Sequence, residues 1–172
     1  MIYGIVQQSV RASSAGELAG GRGHFMNTAS AYGKIVVGVD GSGHSGKALA
    51  WAVEEGRLRG QRLQIIYAFP ALLSLVGSTA HEYYPKVEQE AQQVLDRALA
   101  DLPDHEGVEL QRTLVPGSPA KVLTEASRGA SMLVVGSRGL GEFRGMLLGS
   151  VSIHCVQQAH CPVVVIRSAD QP

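Results

Sequence analysis

Residues 34–49 read KIVVGVDGSGHSGKAL, in which a run of β-branched residues leads through a turn into a helical pattern. The segment KIVVGVD predicts a buried strand, and the glycines and serine of GSG predict a turn. Beyond the turn, apolar residues recur at helical spacing from Leu49 to Val53, which predicts a helix that opens near residues 44–45. A strand that leads directly into a helix is the repeating unit of a parallel sheet.

The same alternation of strand and helix continues along the chain. Further strands are predicted at 63–69, 108–115, 131–137 and 163–167. Helices are predicted over 87–102, 120–129 and 149–161, and a loop is predicted from Pro70 to Tyr84. Because parallel neighbours need crossover connections, this alternation predicts a doubly wound α/β fold, a five-stranded parallel sheet with helices on both faces. In such folds ligands bind at the carboxyl ends of the strands.

The start of the chain has a different composition. From Ser9 to Ala31 it is rich in Ser, Ala and Gly and has neither strand nor helical periodicity, which predicts a flexible extension over residues 1–30. Met26 stands just before the first patterned segment, so an upstream start or an appended sequence over residues 1–25 is an alternative. We therefore expect the folded domain at 31–168 and a tail at 169–172.

Composition restricts the kinds of partner. The 172 residues carry 15 basic and 15 acidic side chains and only 5% aromatic residues, which argues against nucleic-acid binding. The longest apolar runs fall far short of the roughly 20 residues that span a bilayer, and MIYGIVQQSV lacks the marks of a secretory signal. The two cysteines lack C-x-x-C spacing, so we expect a cytoplasmic protein with no membrane contact.

A glycine-rich loop precedes the fourth predicted helix. Residues 136–150, GSRGLGEFRGMLLGS, follow the pattern G-x2-G-x9-G-S. Without a Cβ, Gly136 and Gly139 allow backbone angles and a close approach that would let N–H groups face an anion. Ser150 begins a helix whose N-terminal N–H groups bind phosphate, and Arg138 and Arg144 could screen phosphate charge. The alternative is a glycine-rich loop without a ligand.

Two other patterns are weaker. The segment GSGHSGKA at 41–48 is close to a P-loop, but Ala48 lacks the hydroxyl that a P-loop places on Mg²⁺. His154 and Cys155 stand six residues before His160 and Cys161, which places the pairs about 240° apart around a helix axis, so no metal site is expected.

Together these segments resemble the universal stress protein family, specifically its ATP-binding branch. VGVDGSGHSGKAL (37–49) is similar to the family's opening strand, turn and helix. GSRGLGEFRGMLLGSVS (136–152) is similar to its nucleotide loop, and CPVVVIR (161–167) to its closing strand. The resemblance runs from about Lys34 to Arg167 and implies the strand order 3-2-1-4-5.

The resemblance also implies a binding site for ATP, with or without Mg²⁺. Asp40 and the backbone of Ala68 would hold the base and sugar, although a plain turn former is the alternative role of Asp40. The loop glycines and Ser150 would cradle ribose and phosphates. The complete predicted binding set is Gly38, Val39, Asp40, Ala68, Val135, Gly136, Arg138, Gly139, Gly149, Ser150 and Val151. The family often has His-Val where this chain has Tyr67 and Ala68.

The predicted function is a nucleotide-sensing module of the stress response, with at most slow ATP hydrolysis. Near the predicted loops only Asp40, His44 and Glu142 could act as acid or base, which is too few to propose a mechanism. Of the histidines only His44 is expected near the site, and a solvated position at the helix start is its simpler role. An enzyme of related α/β fold that adenylates a substrate or hydrolyses ATP is one alternative, and a nucleotide-free dimeric scaffold is another. A homodimer is expected through residues 163–167 at a sheet edge.

Overall fold

The computed structural model describes residues 6–10, 33–69, 78–102, 105–141 and 147–167. Within these residues, six strands and four helices form one sheet with its covering helices. The strands are β1 (Val6–Val10), β2 (Lys34–Val39), β3 (Leu63–Phe69), β4 (Leu110–Pro116), β5 (Ala130–Gly136) and β6 (Val163–Ile166). The helices are α1 (Gly43–Arg59), α2 (Ser78–Ala100), α3 (Pro119–Ala126) and α4 (Ser150–Gln158).

Five strands run parallel in the order β4-β3-β2-β5-β6. Numbered along the parallel strands alone, this is the order 3-2-1-4-5, so the predicted doubly wound fold is confirmed. The chain moves from β2 to β3 and β4 on one side and returns to β5 and β6 on the other. The winding therefore reverses beside β2, and a ligand site is expected at that end of the sheet.

A sixth strand lies at the edge of the sheet. β1 pairs antiparallel with β4, with Val6 opposite Leu114 and Val10 opposite Leu110. The prediction of a flexible extension is therefore wrong for residues 6–10, because the open edge of β4 offers backbone N–H and C=O groups with which a short strand can pair. Residues 1–5 and 11–30 of the predicted extension, and the tail at 169–172, lie outside the described residues.

Hydrophobic cores cover both faces of the sheet. Alternate residues of β2 enter opposite cores, because successive side chains of a strand point to opposite faces. Val37 belongs to the core beneath α1 and α2, whereas Val36 belongs to the core beneath α3 and α4. Both side chains are fully buried. The central strand is thereby fixed from both sides, which fixes the position of its carboxyl end.

The second helix differs from the prediction at its start. α2 begins at Ser78 and continues through Pro85, whereas the sequence predicts a loop as far as Tyr84. A proline removes one helical hydrogen bond, which is a local cost that packing of the long amphipathic face beyond it offsets. None of the helices in the described part of the chain is both long and apolar enough to cross a membrane.

Two glycines of α1 provide a matched test of the packing. A Cβ on buried Gly56 would overlap the side chain of Leu63 and lie 3.1 Å from the carbonyl oxygen of Gln61, whereas a Cβ on Gly46 meets nothing within 4 Å. Gly56→Ala should lower the free energy of unfolding by roughly 1 to 3 kcal/mol through overpacking. Gly46→Ala should raise it by roughly 0.5 to 1 kcal/mol through helix propensity. Urea unfolding followed by circular dichroism measures both, and shifts of the same sign would contradict the packing described.

Candidate functional site

A cavity of about 700 Å³ opens at the carboxyl ends of the central parallel strands. Its floor is formed by the ends of β2, β3 and β5, and its walls by residues of α3, of α4 and of the loop after β5. This is the end of the sheet at which the winding reverses. The fold therefore places the cavity where doubly wound proteins bind their ligands.

Every residue of the predicted binding set lies in the wall of this cavity. The set comes from four separate parts of the chain, namely the end of β2, the end of β3, the end of β5 with the loop after it, and the start of α4. Its members are Gly38, Val39, Asp40, Ala68, Val135, Gly136, Arg138, Gly139, Gly149, Ser150 and Val151. Arg144 and Glu142 lie outside the described residues.

Several cavity residues are absent from the predicted set. They are Ser45, Ile66, Pro119, Leu123, Leu140, Gly141, Leu148, Ser152, Ile153, His154 and Gln157. His154 follows Ser150 by four residues, so the i, i+4 rule for helix faces could have identified it. The expectation for His44 is wrong, because the cavity wall contains His154 and not His44. The backbone of His44 instead packs against Gly136.

Asp40 is held in place by hydrogen bonds to two loops. Its Oδ1 atom accepts a hydrogen bond from the N–H of Ser42 at 2.9 Å, which closes the turn after β2. Its Oδ2 atom accepts one from the N–H of Leu140 at 3.2 Å, in the loop after β5. The backbone N–H of Asp40 donates to the Oγ of Ser45 at 3.2 Å. The carboxylate of Asp40 therefore faces two backbone N–H groups, that of Ser42 in the turn after β2 and that of Leu140 in the loop after β5.

Close packing explains why glycines occupy three positions of the cavity lining. A Cβ at Gly136 would lie 2.8 Å from the backbone carbon of His44, and a Cβ at Gly38 would lie 2.7 Å from a methyl group of Leu123. A Cβ at Gly139 would overlap the carboxylate of Asp40. Gly136 and Gly139 do not have positive φ. The glycines are therefore required by close contacts within the protein and not by an unusual backbone angle, and the predicted approach of their N–H groups to an anion stays a prediction.

The start of α4 is fastened to the end of β5. The N–H of Gly149 donates to the carbonyl oxygen of Ser137 at 2.7 Å, and the hydroxyl of buried Ser152 donates to the carbonyl oxygen of Gly136 at 2.7 Å. The N–H of Ile153 bonds to the carbonyl of Gly149 as the first turn closes. The N–H groups of residues 150–152 therefore have no acceptor within the helix, and they lie at its positive end beside the cavity.

The cavity carries few ionisable groups. Of the described residues that line it, only Asp40, Arg138 and His154 can be charged. In the described part of the chain, no three His, Cys, Asp or Glu side chains come close enough to hold a metal ion. Cys155 belongs to the core beneath α3 and α4, where burial raises the pKa of its thiol to about 11. That thiol is neutral at pH 7.

The difference from the family pattern at Tyr67 and Ala68 of β3 lies mainly in the core. Ala68 borders the cavity, but Tyr67 packs against the opposite core, beneath α1 and α2. Burial, followed by the nearby carboxylates of Asp40 and Glu90, raises the pKa of the Tyr67 hydroxyl. The hydroxyl is therefore neutral at pH 7, and Tyr67 is not among the residues that form the cavity wall.

Comparison with known proteins shows to which family the chain belongs. The sequence model of the universal stress protein family matches residues 31–167. The chain belongs to the universal stress protein family. The match covers β2 to β6 and every residue of the predicted binding set, whereas β1 lies before it.

Mycobacterial members of the family are similar in sequence. A universal stress protein of Mycolicibacterium smegmatis is 34% identical over 155 residues, which cover 86% of this chain and 52% of the relative. One of Mycobacterium tuberculosis is 36% identical over 136 residues, which cover 78% of this chain and 45% of the relative. The chain thus spans about half the length of these curated relatives.

Solved structures of the family share the fold over nearly their whole length. A family member from Burkholderia pseudomallei is 29% identical, with a TM-score of 0.60 over 81% of this chain and 98% of its own. A universal stress protein in complex with cAMP is 28% identical, with a TM-score of 0.55 over 80% of this chain and 98% of its own. An Arabidopsis thaliana family protein with AMP bound is 23% identical, with a TM-score of 0.56 over 80% and 94%, and shows the shared fold.

Two serines of α4 test how the helix is fastened. Ser152→Ala removes the buried bond to Gly136 and should lower the free energy of unfolding by roughly 1 to 2 kcal/mol. Ser150→Ala, at an exposed position two residues earlier, should change it by less than about 0.5 kcal/mol. Both values come from urea denaturation. Equal losses in the two variants would mean that the Ser152 hydroxyl does not fasten α4 to β5.

Proposed function

We propose that this universal stress protein domain binds an adenine nucleotide, with ATP as its ligand, and acts as a nucleotide-sensing module in the cytoplasm. The observation that supports the proposal most strongly is the convergence of the whole predicted binding set on one cavity. Its volume of about 700 Å³ falls inside the range of roughly 300 to 1,000 Å³ that is usual for small-molecule sites. Both cysteines are free thiols, which suits a reducing compartment.

The two ends of the cavity suit the two ends of a nucleotide. At α4, the N–H groups of residues 150–152, the hydroxyl of Ser150 and the guanidinium of Arg138 are donors for phosphate oxygens. At β2 and β3, Ile66, Ala68 and the Leu123 side chain from α3 offer apolar surface for a base. A ligand with an apolar ring at one end and an anion at the other matches this arrangement.

Related structures support the choice of an adenine nucleotide. The family member that is 28% identical was solved with cAMP, and the Arabidopsis protein was solved with AMP. All these ligands share the adenine base with ATP and differ in their phosphates. The adenine end is therefore the better supported part of the proposal, and the number of phosphates is the part that binding experiments must decide.

Turnover of the nucleotide should be slow. Among the described residues of the cavity wall, Asp40 is the sole carboxylate, and both of its oxygens accept backbone hydrogen bonds. These bonds fix the carboxylate between two loops, and the described part of the cavity wall offers no second carboxylate with which it could share acid and base roles. Any Mg²⁺ is expected to be held through the phosphates of the nucleotide, as Mg²⁺ commonly is.

Nucleotide binding should stabilise the domain against heat. At a hundredfold excess over Kd, ATP should add about 2.7 kcal/mol to the free energy of unfolding. For a domain of this size that raises Tm by roughly 5 to 11 °C, measured by differential scanning fluorimetry. Gly46→Ala, at a position of α1 that does not line the cavity and has room for a Cβ, should keep the full shift. A shift below about 1 °C with ATP, AMP and cAMP would refute the proposed function.

We propose further that two copies associate through β6. In the described residues this strand pairs with β5 alone, so its other edge is open. The carbonyl oxygens of Pro162 and Ile166 accept hydrogen bonds from the N–H groups of Leu133 and Ser137 in and just after β5. Because backbone groups alternate along a parallel strand, residues 163 and 165 present their N–H and C=O groups to the open edge. Two such edges can pair about a two-fold axis.

The alternation along β6 gives a matched pair of proline variants. Val165→Pro removes an N–H from the open edge and should convert the dimer to a folded monomer. Val164→Pro removes an N–H that faces β5 and should instead destabilise the fold by about 3 kcal/mol or more. Light scattering at micromolar concentration should give twice the 18.2 kDa of one chain for the parent protein. A parent mass of 18.2 kDa, or a dimer that survives Val165→Pro, would contradict pairing through β6.

A further inference from the structure

We propose that His154 is a specificity-determining residue of the nucleotide site, which binds the phosphates beyond the first and so selects ATP over AMP. This role deepens the proposed function and rests on it for the adenine end of the ligand. It concerns the number of phosphates, which the predicted binding set leaves undecided.

One face of α4 borders the cavity over two turns. Ser150, Ile153, His154 and Gln157 all line the cavity, and their spacing of three and four residues places them on the same side of the helix. The N–H groups that suit a phosphate belong to the first turn. With a rise of about 1.5 Å per residue, His154 stands about 6 Å farther along the helix axis than Ser150. The cavity therefore continues along α4 past the place where a single phosphate would bind.

His154 is one of two side chains in the described cavity wall that can carry positive charge. Arg138 is the other, and Asp40 is the sole acid among the described residues of the wall. Each phosphate added to a nucleotide brings more negative charge, and hydrogen bonds to charged oxygens are the strong ones. A neutral imidazole supplies one N–H donor and a protonated imidazole supplies two. His154 thus adds a donor for phosphate oxygens at a distance from the helix start.

The surroundings of His154 leave its ring available to a ligand. The side chain is half-buried, and within the described part of the chain its ring takes part in no hydrogen bond or ion pair. The helix α3, which packs against α4, contributes the apolar Pro119 and Leu123 to the cavity wall. The charged Lys121 and Glu125 of α3 are exposed and do not line the cavity. A phosphate beside His154 therefore meets no carboxylate from α3.

Binding of the outer phosphates predicts different data from a purely structural role in α4. If the ring of His154 bonds to the second or third phosphate, its loss weakens ligands that carry these phosphates and spares AMP. If His154 only supports the helix, its loss weakens AMP and ATP alike, because both would use the N–H groups of residues 150–152.

The first experiment measures Kd by calorimetry with ATP, AMP and inorganic tripolyphosphate, after circular dichroism has established that each variant is folded. His154→Ala should weaken ATP and tripolyphosphate by roughly ten- to a hundredfold, as expected for a hydrogen bond to a charged group, and AMP by less than about twofold. His154→Gln, which keeps an N–H donor, should recover part of the loss. Gln158→Ala, at an exposed position of α4 outside the cavity wall, should leave all three Kd values unchanged. Equal losses for ATP and AMP in His154→Ala would overturn the proposal.

Tripolyphosphate separates this proposal from the proposed function, because it has outer phosphates and no base. If the parent protein binds tripolyphosphate through His154 but binds no adenine nucleotide, the proposed function fails and the role of His154 stands. If the parent protein binds ATP no more tightly than AMP, the role of His154 is wrong and the proposed function stands. If none of the three ligands binds, both are wrong.

The second experiment observes the histidine ring directly. The NMR signal of the His154 ring, assigned by its disappearance in His154→Ala, should shift when ATP or tripolyphosphate is added and should stay in place with AMP. The ring of His105, which does not line the cavity, is the internal control and should not respond. A His154 signal that moves equally with AMP and ATP, or that stays unchanged at saturating ATP, would overturn the proposal.

Discussion

Burial of β2 on both of its faces is the constraint on which the rest of the structure depends. Ile35, Val36 and Val37 are fully buried, and each such side chain contributes roughly 1.5 to 3 kcal/mol through removal from water. A strand buried on both faces needs parallel neighbours and helical crossovers above and below it. Those crossovers bring the ends of β2, β3 and β5 to one edge of the sheet, and the cavity is the space that remains there between α3 and α4.

Local patterns were sufficient to predict the five parallel strands and the glycine loop with the start of α4, whereas the site roles of Asp40 and Ala68 came from the resemblance to the family. Runs of Val and Ile mark each strand, and the glycine spacing marks the loop after β5. The strand order did not follow from those patterns and came from the resemblance to the family. β1 was missed because its pairing depends on the free edge of β4, which is distant in sequence and leaves no mark on residues 6–10. His154 lies outside the predicted set because it belongs to no ligand motif, and only its place on α4, one turn after Ser150, brings it to the cavity.

For the glycines of the site, the sequence predicts the positions but not the physical reason for them. Gly136 and Gly139 were expected at a ligand-binding loop, and both lie in the cavity wall. The structure accounts for them by contacts within the protein, since one packs on the backbone of His44 and the other makes room for Asp40. Substitution of either residue therefore disturbs packing within the protein even when no ligand is bound. The binding data of such variants have to be interpreted together with their stability.

The start of α4 and the backbone at Leu140, which both border the cavity, are held by hydrogen bonds of different length and exposure. At the start of α4, two hydrogen bonds of 2.7 Å tie the helix to β5, and one of them is buried. On the opposite side, the bond between Leu140 and Asp40 is longer, at 3.2 Å, and is exposed. An exposed bond opens at a lower free-energy cost than a buried one. The backbone at Leu140 should therefore separate from the end of β2 more readily than α4 separates from β5.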